Sequence, residues 1–182
     1  MSIAESLITA AEFAEMPNPG YPQELVRGVI VNMTPPKFRH GKVCNRIAYL
    51  LTGFVDGHQL GHVVGNDSGV ITEQDPDTVR GPDVYFVSYA KVPLDANPEY
   101  LTVAPDAVFE VLSPSDRWSE VLKKVAEYLL CGVPAVYVLD PELSRIHCYY
   151  PNHPEEILER PQQLKGVGPL ENFLVPVAKF FE

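Results

Sequence analysis

Nowhere in this chain is there a run of about 18 apolar residues, the length a helix needs to cross a bilayer, so no membrane span is expected. Cysteine is scarce. Cys44, Cys131 and Cys148 are scattered without metal-ligand spacing, and an odd count suits reduced thiols better than a disulfide framework. The opening residues, MSIAESLITAAEF, carry glutamates and no basic stretch, so no signal peptide is expected and the expected location is cytoplasmic. Positive charge is short as well. The 14 Lys and Arg against 24 Asp and Glu leave a formal net charge of −10. That excludes a broad, nonspecific grip on nucleic acid but leaves room for a local basic groove. No Gly-x-Ser-x-Gly turn surrounds Ser113 or Ser115, which disfavours a serine hydrolase. Internal repeats, low-complexity tracts and linkers are missing too.

What is there suits a folded protein. With 182 residues, 46% of them hydrophobic, the chain is long enough to bury a core, and the simplest division is one domain over 1–182 with residues 1–20 as an N-terminal helical arm. Thr9-Ala-Ala-Glu12 is a capping box, flanked by Ile8 and Phe13 at staple positions, and Pro17-Asn-Pro-Gly20 ends the arm. Glu24 to Met33 reads as a strand or a hairpin bent at Gly28. Phe38-Arg-His40 leads into a helix through about Asp56. Val43, Ile47, Leu50, Leu51 and Phe54 share one face of it, and His40 projects inward from its first turn. His62–Gly65 and Ser68–Thr72 read as two short strands around a turn at Asn66-Asp67, Glu73 to Arg80 as a polar loop, and Ser88 to Ala104 as an irregular connection.

The stretch from Pro105 to Pro141 carries the chemistry. Ala107 to Leu112 is a short β-rich run suited to a buried strand, yet Glu110 interrupts it. A carboxylate there is costly unless a partner or a metal neutralises it. The following helix places Trp118, Val121, Leu122, Val125 and Leu129 on one side, with Lys124 at the edge of that stripe and Lys123 nearly opposite. Gly132 caps it, Ala135 to Leu139 forms a strand closed by Asp140-Pro141, and Arg145 to Tyr150 pairs back as a hairpin. Upstream, Gly81-Pro-Asp83 launches the strand Val84 to Val87. Asp83, Glu110 and Lys124 are the parts of a divalent-cation phosphodiester site. Mg²⁺ takes hard oxygen ligands, here Asp83 and Glu110, and a lysine can orient water and neutralise developing charge.

Each of these residues also has a plainer role. Asp83 alone would pass as a turn residue after Gly-Pro, Lys124 as an amphipathic-helix lysine, and His40 as a helix-start histidine satisfied by hydrogen bonds. Glu110, flanked on both sides by apolar residues, is the one that a plain role fits worst. Tyr128 reads as core with a hydroxyl that could reach the site, and Trp118 and Tyr137 as packing residues.

Taken in order, these residues resemble a known family. Pro82-Asp83, Glu110 and Lys124 are similar to a variant PD-(D/E)XK nuclease signature. Glu24-Leu-Val-Arg-Gly28, Pro36 with His40-Gly41, Pro82-Asp83-Val84 and Glu110-Val-Leu-Ser-Pro-Ser115 resemble the Uma-two family of restriction-endonuclease-like proteins, as do Lys124 with Tyr128, Gly132-Val-Pro134 and Asp140-Pro141. The ordered set runs from about residue 10 to 150. The resemblance implies an α/β fold with a restriction-endonuclease-like core, a mixed β-sheet flanked by α-helices. It implies a site lined by Glu24, His40, Asp83, Glu110 and Lys124. Two departures stand out: the usual lysine position, two residues after the glutamate, holds Leu112, and the Glu-Tyr-Trp-like run after Gly-Val-Pro is replaced by Ala135-Val136-Tyr137.

The leading expectation is a Mg²⁺-dependent endonuclease, with Mn²⁺ as a substitute, hydrolysing DNA; RNA remains open as a substrate. Asp83 and Glu110 would hold the metal, Lys124 would position water, and Glu24 and His40 would support them. A homodimer is expected by analogy with related nucleases, with the N-terminal helix as a contact. Two other readings stay open: a catalytically silent, nuclease-like dimeric interaction module, and a metal-dependent hydrolase of small phosphorylated substrates.

Overall fold

The computed structural model describes residues 7–182, so residues 1–6 of the N-terminal arm lie outside the described residues. The arm's helix α1 (Ala10–Ala14) starts with Thr9 and Glu12 in a reciprocal capping box. It packs on the body of its own chain: the Ala10 amide donates to Asp77 Oδ2 at 2.7 Å, and Ile8 and Phe13 lie against Leu25 and Val79. None of the described helices is long and apolar enough to cross a membrane.

Strands β1 (Gln23–Val26) and β2 (Val29–Asn32) form the bent hairpin. Its two-residue turn puts Arg27 at φ 50° and Gly28 at φ 76°, the left-handed pair that a tight hairpin requires. Helix α2 (Phe38–His58) buries His40, Val43, Ile47, Leu51 and Val55 along one stripe at helical spacing. Strand β3 (Gly61–Gly65) follows, then β4 (Val70–Glu73), β5 (Thr78–Arg80), β6 (Val84–Ser88) and β7 (Ala107–Val111). Helix α3 (Trp118–Leu130) crosses over to β8 (Val136–Asp140), which runs parallel to β7. After it come β9 (Arg145–Tyr149), β10 (Glu156–Leu158), β11 (Gln163–Lys165) and β12 (Leu174–Pro176).

The central sheet has six strands in the order β10-β9-β8-β7-β6-β3, mixed because only β7 and β8 are parallel. Helix α2 covers one face, where Ile47, Leu51 and Val55 meet Phe86, Phe109, Tyr137 and the C-terminal Phe173 and Phe180. Helix α3 covers the other, where Val125 and Tyr128 meet Val108, Val136 and Val138. Two covered faces explain why β8 is buried at every position. A four-stranded antiparallel sheet, β2-β1-β5-β4, stands beside this layer, and β11 and β12 make a small separate pair.

The structure corrects two expectations, over residues 73–80 and along α3. The turn expected at Asn66-Asp67 exists, with both residues left-handed at φ 62° and 54°, and the strands it joins lie in different sheets. Strand β3 pairs with β6 and β4 pairs with β5, so the turn carries the chain from one sheet to the other. Residues 73–80 are more than a polar loop, because Thr78, Val79 and Arg80 form the fully buried β5. Trp118 and Leu122 do not join the core. Both are about two-fifths exposed, because the buried stripe of α3 turns instead through Val125 and Tyr128.

Two glycines separate helix propensity from packing. An added Cβ at Gly53, within α2, meets nothing within 4 Å, whereas one at Gly61 would lie 2.1 Å from the Val87 carbonyl oxygen and 2.7 Å from Ser88 Cα. Gly53→Ala is expected to stabilise the protein by about 1 kcal/mol. Gly61→Ala is expected to destabilise it by roughly 1–3 kcal/mol. Urea denaturation of the two variants checks both signs.

Candidate active site

The β6–β7 pairing sets the floor of the site. Val84 lies opposite Phe109, so Asp83, one residue before, falls opposite Glu110, one residue after. Glu110 is the one residue of β7 that is not fully buried, since its side chain faces a cavity of about 460 Å³. Asp83, His40, Glu24 and Lys124 line the same cavity. All five residues singled out from the sequence are therefore neighbours, delivered by β1, α2, the start of β6, β7 and α3.

Their partners differ. Asp83 Oδ2 accepts the Val111 amide at 2.7 Å, and Asp83 Oδ1 lies 3.3 Å from His40 Nε2. Glu110 Oε1 accepts the Tyr128 hydroxyl at 2.7 Å. Glu24, only 3% exposed, accepts Lys124 Nζ at 2.7 Å and the Gly81 amide at 3.2 Å on Oε1, and Arg80 Nη1 at 2.7 Å on Oε2. Arg80 turns its other edge to Glu127 in a two-point pair at 2.6 and 2.7 Å.

These contacts push the carboxyl pKa values apart. Burial drives the Glu110 pKa up to about 8. The charges of Asp83 and Glu24 add to that rise, while Lys124 and the Tyr128 hydrogen bond oppose it. Burial acts the same way on Glu24, but the charges and hydrogen bonds of Lys124 and Arg80 outweigh it and hold Glu24 below the usual carboxylate range. Burial disfavours charge on His40, and the Asp83 hydrogen bond, helped by the charges of Asp83, Asp116 and Glu110, raises its pKa nonetheless. Lys124 is raised too: burial opposes its charge, and Glu110 and Glu24 more than compensate.

Three residues that matter here escaped the sequence. Arg80 holds Glu24 and is itself held by Glu127, and both were invisible because each partner comes from a different element. Asp67 lines the cavity from the crossing turn. Its approach needs Gly81, where a Cβ would lie 2.7 Å from the Asp67 carbonyl oxygen. Burial and the nearby Asp83 charge raise the Asp67 pKa. The Gly-Pro-Asp triplet was a usable signal for Asp83, and nothing comparable marks Asp67.

The family model described as "Putative restriction endonuclease" matches residues 10–178. The chain belongs to the Uma2 family. A solved structure described as "a putative nuclease belonging to DUF820", from Anabaena variabilis ATCC 29413, superposes with a TM-score of 0.83 at 20% identity, covering 96% of this chain and 97% of that one. At that identity the likeness establishes a shared fold, mixed sheets flanked by helices. A search of curated proteins found no match. Within this Uma2 chain, the position two residues after Glu110 is Leu112, and the cationic group reaches the cavity from α3 as Lys124 instead.

The raised Glu110 pKa has a measurable consequence. A carboxyl whose folded pKa lies above its unfolded value binds more protons in the folded state, so stability falls as pH rises between the two values. For Glu110 that window runs from the unfolded value of 4.5 to about 8. In EDTA, the melting temperature of the wild type is expected to fall across this window more steeply than that of Glu110→Gln, which cannot ionise. Parallel slopes would show that Glu110 is not the buried group responsible.

Proposed function

We propose that this chain is a Mg²⁺-dependent endonuclease that hydrolyses DNA phosphodiester bonds, with Mn²⁺ able to substitute. The observation that carries the reading is the convergence of Asp83, Glu110, Lys124 and Glu24 on one cavity from separate elements. The donor set fits a hard cation. Six carboxylates line the cavity (Glu24, Asp67, Asp83, Glu110, Asp116 and Glu120) against the cations Lys124 and Arg117. A divalent ion of Mg²⁺ type takes oxygen ligands of this kind. The Glu110 carboxyl, pushed up to about 8 first by burial and then by the charges of Asp83 and Glu24, would be favoured in its ionised form by a cation beside it.

Asp83 and Glu110 would hold the cation. Tyr128 occupies Glu110 Oε1, which directs Oε2 to this role, and the Val111 amide fixes the Asp83 carboxylate. When bound, the cation supplies positive charge for the phosphate oxygens and a more acidic water. The chain does the rest by positioning. Lys124 is anchored by Glu24, so its ammonium is held beside the cavity, where it orients the attacking water and offsets charge that grows on the phosphate. His40, hydrogen-bonded to Asp83 and favoured in its charged form, is suited to a phosphate oxygen. One copy presents one such cavity, so cutting both strands of a duplex takes a second copy, and a homodimer is part of the same proposal.

Charge is sorted along the chain in a way that supports a polyanionic substrate. Between Leu25 and Val55 there is no Asp or Glu, while Arg27, Lys37, Arg39, Lys42 and Arg46 all fall there. Met33, Thr34, Pro36 and His40 from this segment line the cavity, and Lys37 and Lys42 are exposed close by in sequence. An acidic protein thus keeps a basic segment next to its site, where phosphates on either side of the scissile bond would lie.

The central test is cleavage of plasmid and oligonucleotide DNA, with RNA in parallel, alongside calorimetric titration of Mg²⁺ and Mn²⁺. Wild type is expected to bind and cleave. Asp83→Ala and Glu110→Ala are expected to lose both, and Lys124→Ala to slow cleavage by roughly 10²–10³-fold while still binding metal. A wild type that neither binds these ions nor cuts any nucleic acid sinks the proposal in favour of a silent interaction module. A second prediction concerns the basic segment. In EDTA, Lys37→Ala with Lys42→Ala is expected to weaken DNA binding equally for all sequences and to lower the salt slope by about one for each phosphate that is no longer neutralised. Fluorescence anisotropy against salt concentration reads it, and an unchanged slope counts against this surface.

A further inference from the structure

Two donors beside the cavity, His40 and Cys44, have no part in oxygen-only cation coordination. His40 and Cys44 sit one helical turn apart on the inward side of α2, and Asp83 reaches them from the start of β6. Cys44 Sγ lies 3.4 Å from His40 Nδ1, and Asp83 Oδ1 lies 3.3 Å from His40 Nε2. One donor atom from each of the three residues falls within 4.8 Å of the others, and among the described residues this is the one such group of His, Cys, Asp and Glu. The three differ in kind: a nitrogen, a sulfur and an oxygen.

We propose that His40, Cys44 and Asp83 form a binding site for a thiophilic divalent cation of the Zn²⁺ class, with its fourth position open toward the cavity. Three side chains with a vacant fourth place is the ligand count of reactive zinc sites, whose bond lengths of about 2.0–2.3 Å space the donors roughly 3–4 Å apart. With a single ring nitrogen of His40 as its donor, the three ligand atoms lie within 4.8 Å of one another, wider than that range, so a bound ion would draw them together. Mg²⁺ has no use for the thiolate and little for the imidazole, whereas a softer ion prefers both. The two donor sets therefore sort cations by hardness: Asp83 with Glu110 for hard ions, and Asp83 with His40 and Cys44 for softer ones. Asp83 belongs to both sets, so one ion excludes the other.

Cys44 is a free, half-buried thiol. Ion binding would form the sulfur–metal bond and release the thiol proton to solvent. Cys148 by contrast is buried in the apolar core, and Cys131 donates to the Tyr128 carbonyl, so neither joins an equivalent donor set.

This inference shares Asp83 and His40 with the phosphodiester reading, and its test keeps the two separate. Co²⁺ titrated into the reduced full-length protein reports a sulfur ligand directly, through a near-ultraviolet thiolate-to-cobalt charge-transfer band. The wild type is expected to show a saturable band at one Co²⁺ per chain that Zn²⁺ abolishes by displacement. Cys44→Ser should remove the band, His40→Ala should weaken Co²⁺ binding by at least roughly tenfold, and Cys131→Ser should leave it unchanged. Glu110→Gln should keep the band even though it removes a proposed Mg²⁺ ligand, so a failed nuclease assay and a failed cobalt titration are distinguishable. Circular dichroism of each variant checks that it is folded. No band in the wild type, or a band that survives Cys44→Ser in folded protein, overturns the proposal.

Discussion

A buried carboxylate holds the four-stranded sheet against α3. Glu24 leaves water almost completely, and an isolated ionised carboxylate in that position would be prohibitive. Lys124, Arg80 and the Gly81 amide share it, and each comes from a different part of the chain than the β1 strand that carries it. Arg80 in turn is held by Glu127, so a chain of alternating charge runs from α3 through β5 to β1 and back to α3. Such a network is less a source of net stability than a constraint on geometry, because removing any one member strands another as an uncompensated charge. The position of Lys124 over the cavity follows from it.

The same cavity contains two glutamates with opposite tendencies. Glu24, surrounded by cations, stays ionised and serves as an anchor. Glu110 is pushed toward the neutral form by burial and by the charge of Asp83, against the opposing pull of Lys124 and the Tyr128 hydroxyl. Groups of one chemical type driven apart in pKa by their surroundings divide the work between them. Here the division separates an ionised anchor from a carboxyl driven toward its neutral form.

Charge separation along the chain adds a second level of organisation. The net charge of −10 describes the molecule as a whole, yet the segment from Leu25 to Val55 is free of acids and forms one wall of an acidic cavity. The segment's cations lie on the hairpin turn (Arg27), the connection (Lys37) and α2 (Arg39, Lys42 and Arg46).

Local sequence determined much of this protein because the relevant forces are local. The capping box at Thr9, the Arg27-Gly28 turn and the 3.6-residue apolar stripe of α2 each depend on neighbours within a few positions, and each formed where the pattern indicated. Glu110 was legible for a related reason, since a carboxylate between apolar neighbours in a strand signals an uncompensated desolvation whatever the fold. Only the tertiary structure decided the partnerships. Strands β3 and β4 flank one turn in the sequence and belong to different sheets in three dimensions. Arg80 lies in what reads as a polar loop and becomes the buried hub of the ionic network. Asp67 joins the cavity wall, and Cys44 meets Asp83, through approaches between segments far apart in the chain. Pairing between distant segments is selected by the packing of the whole core, and no short window of sequence contains that information.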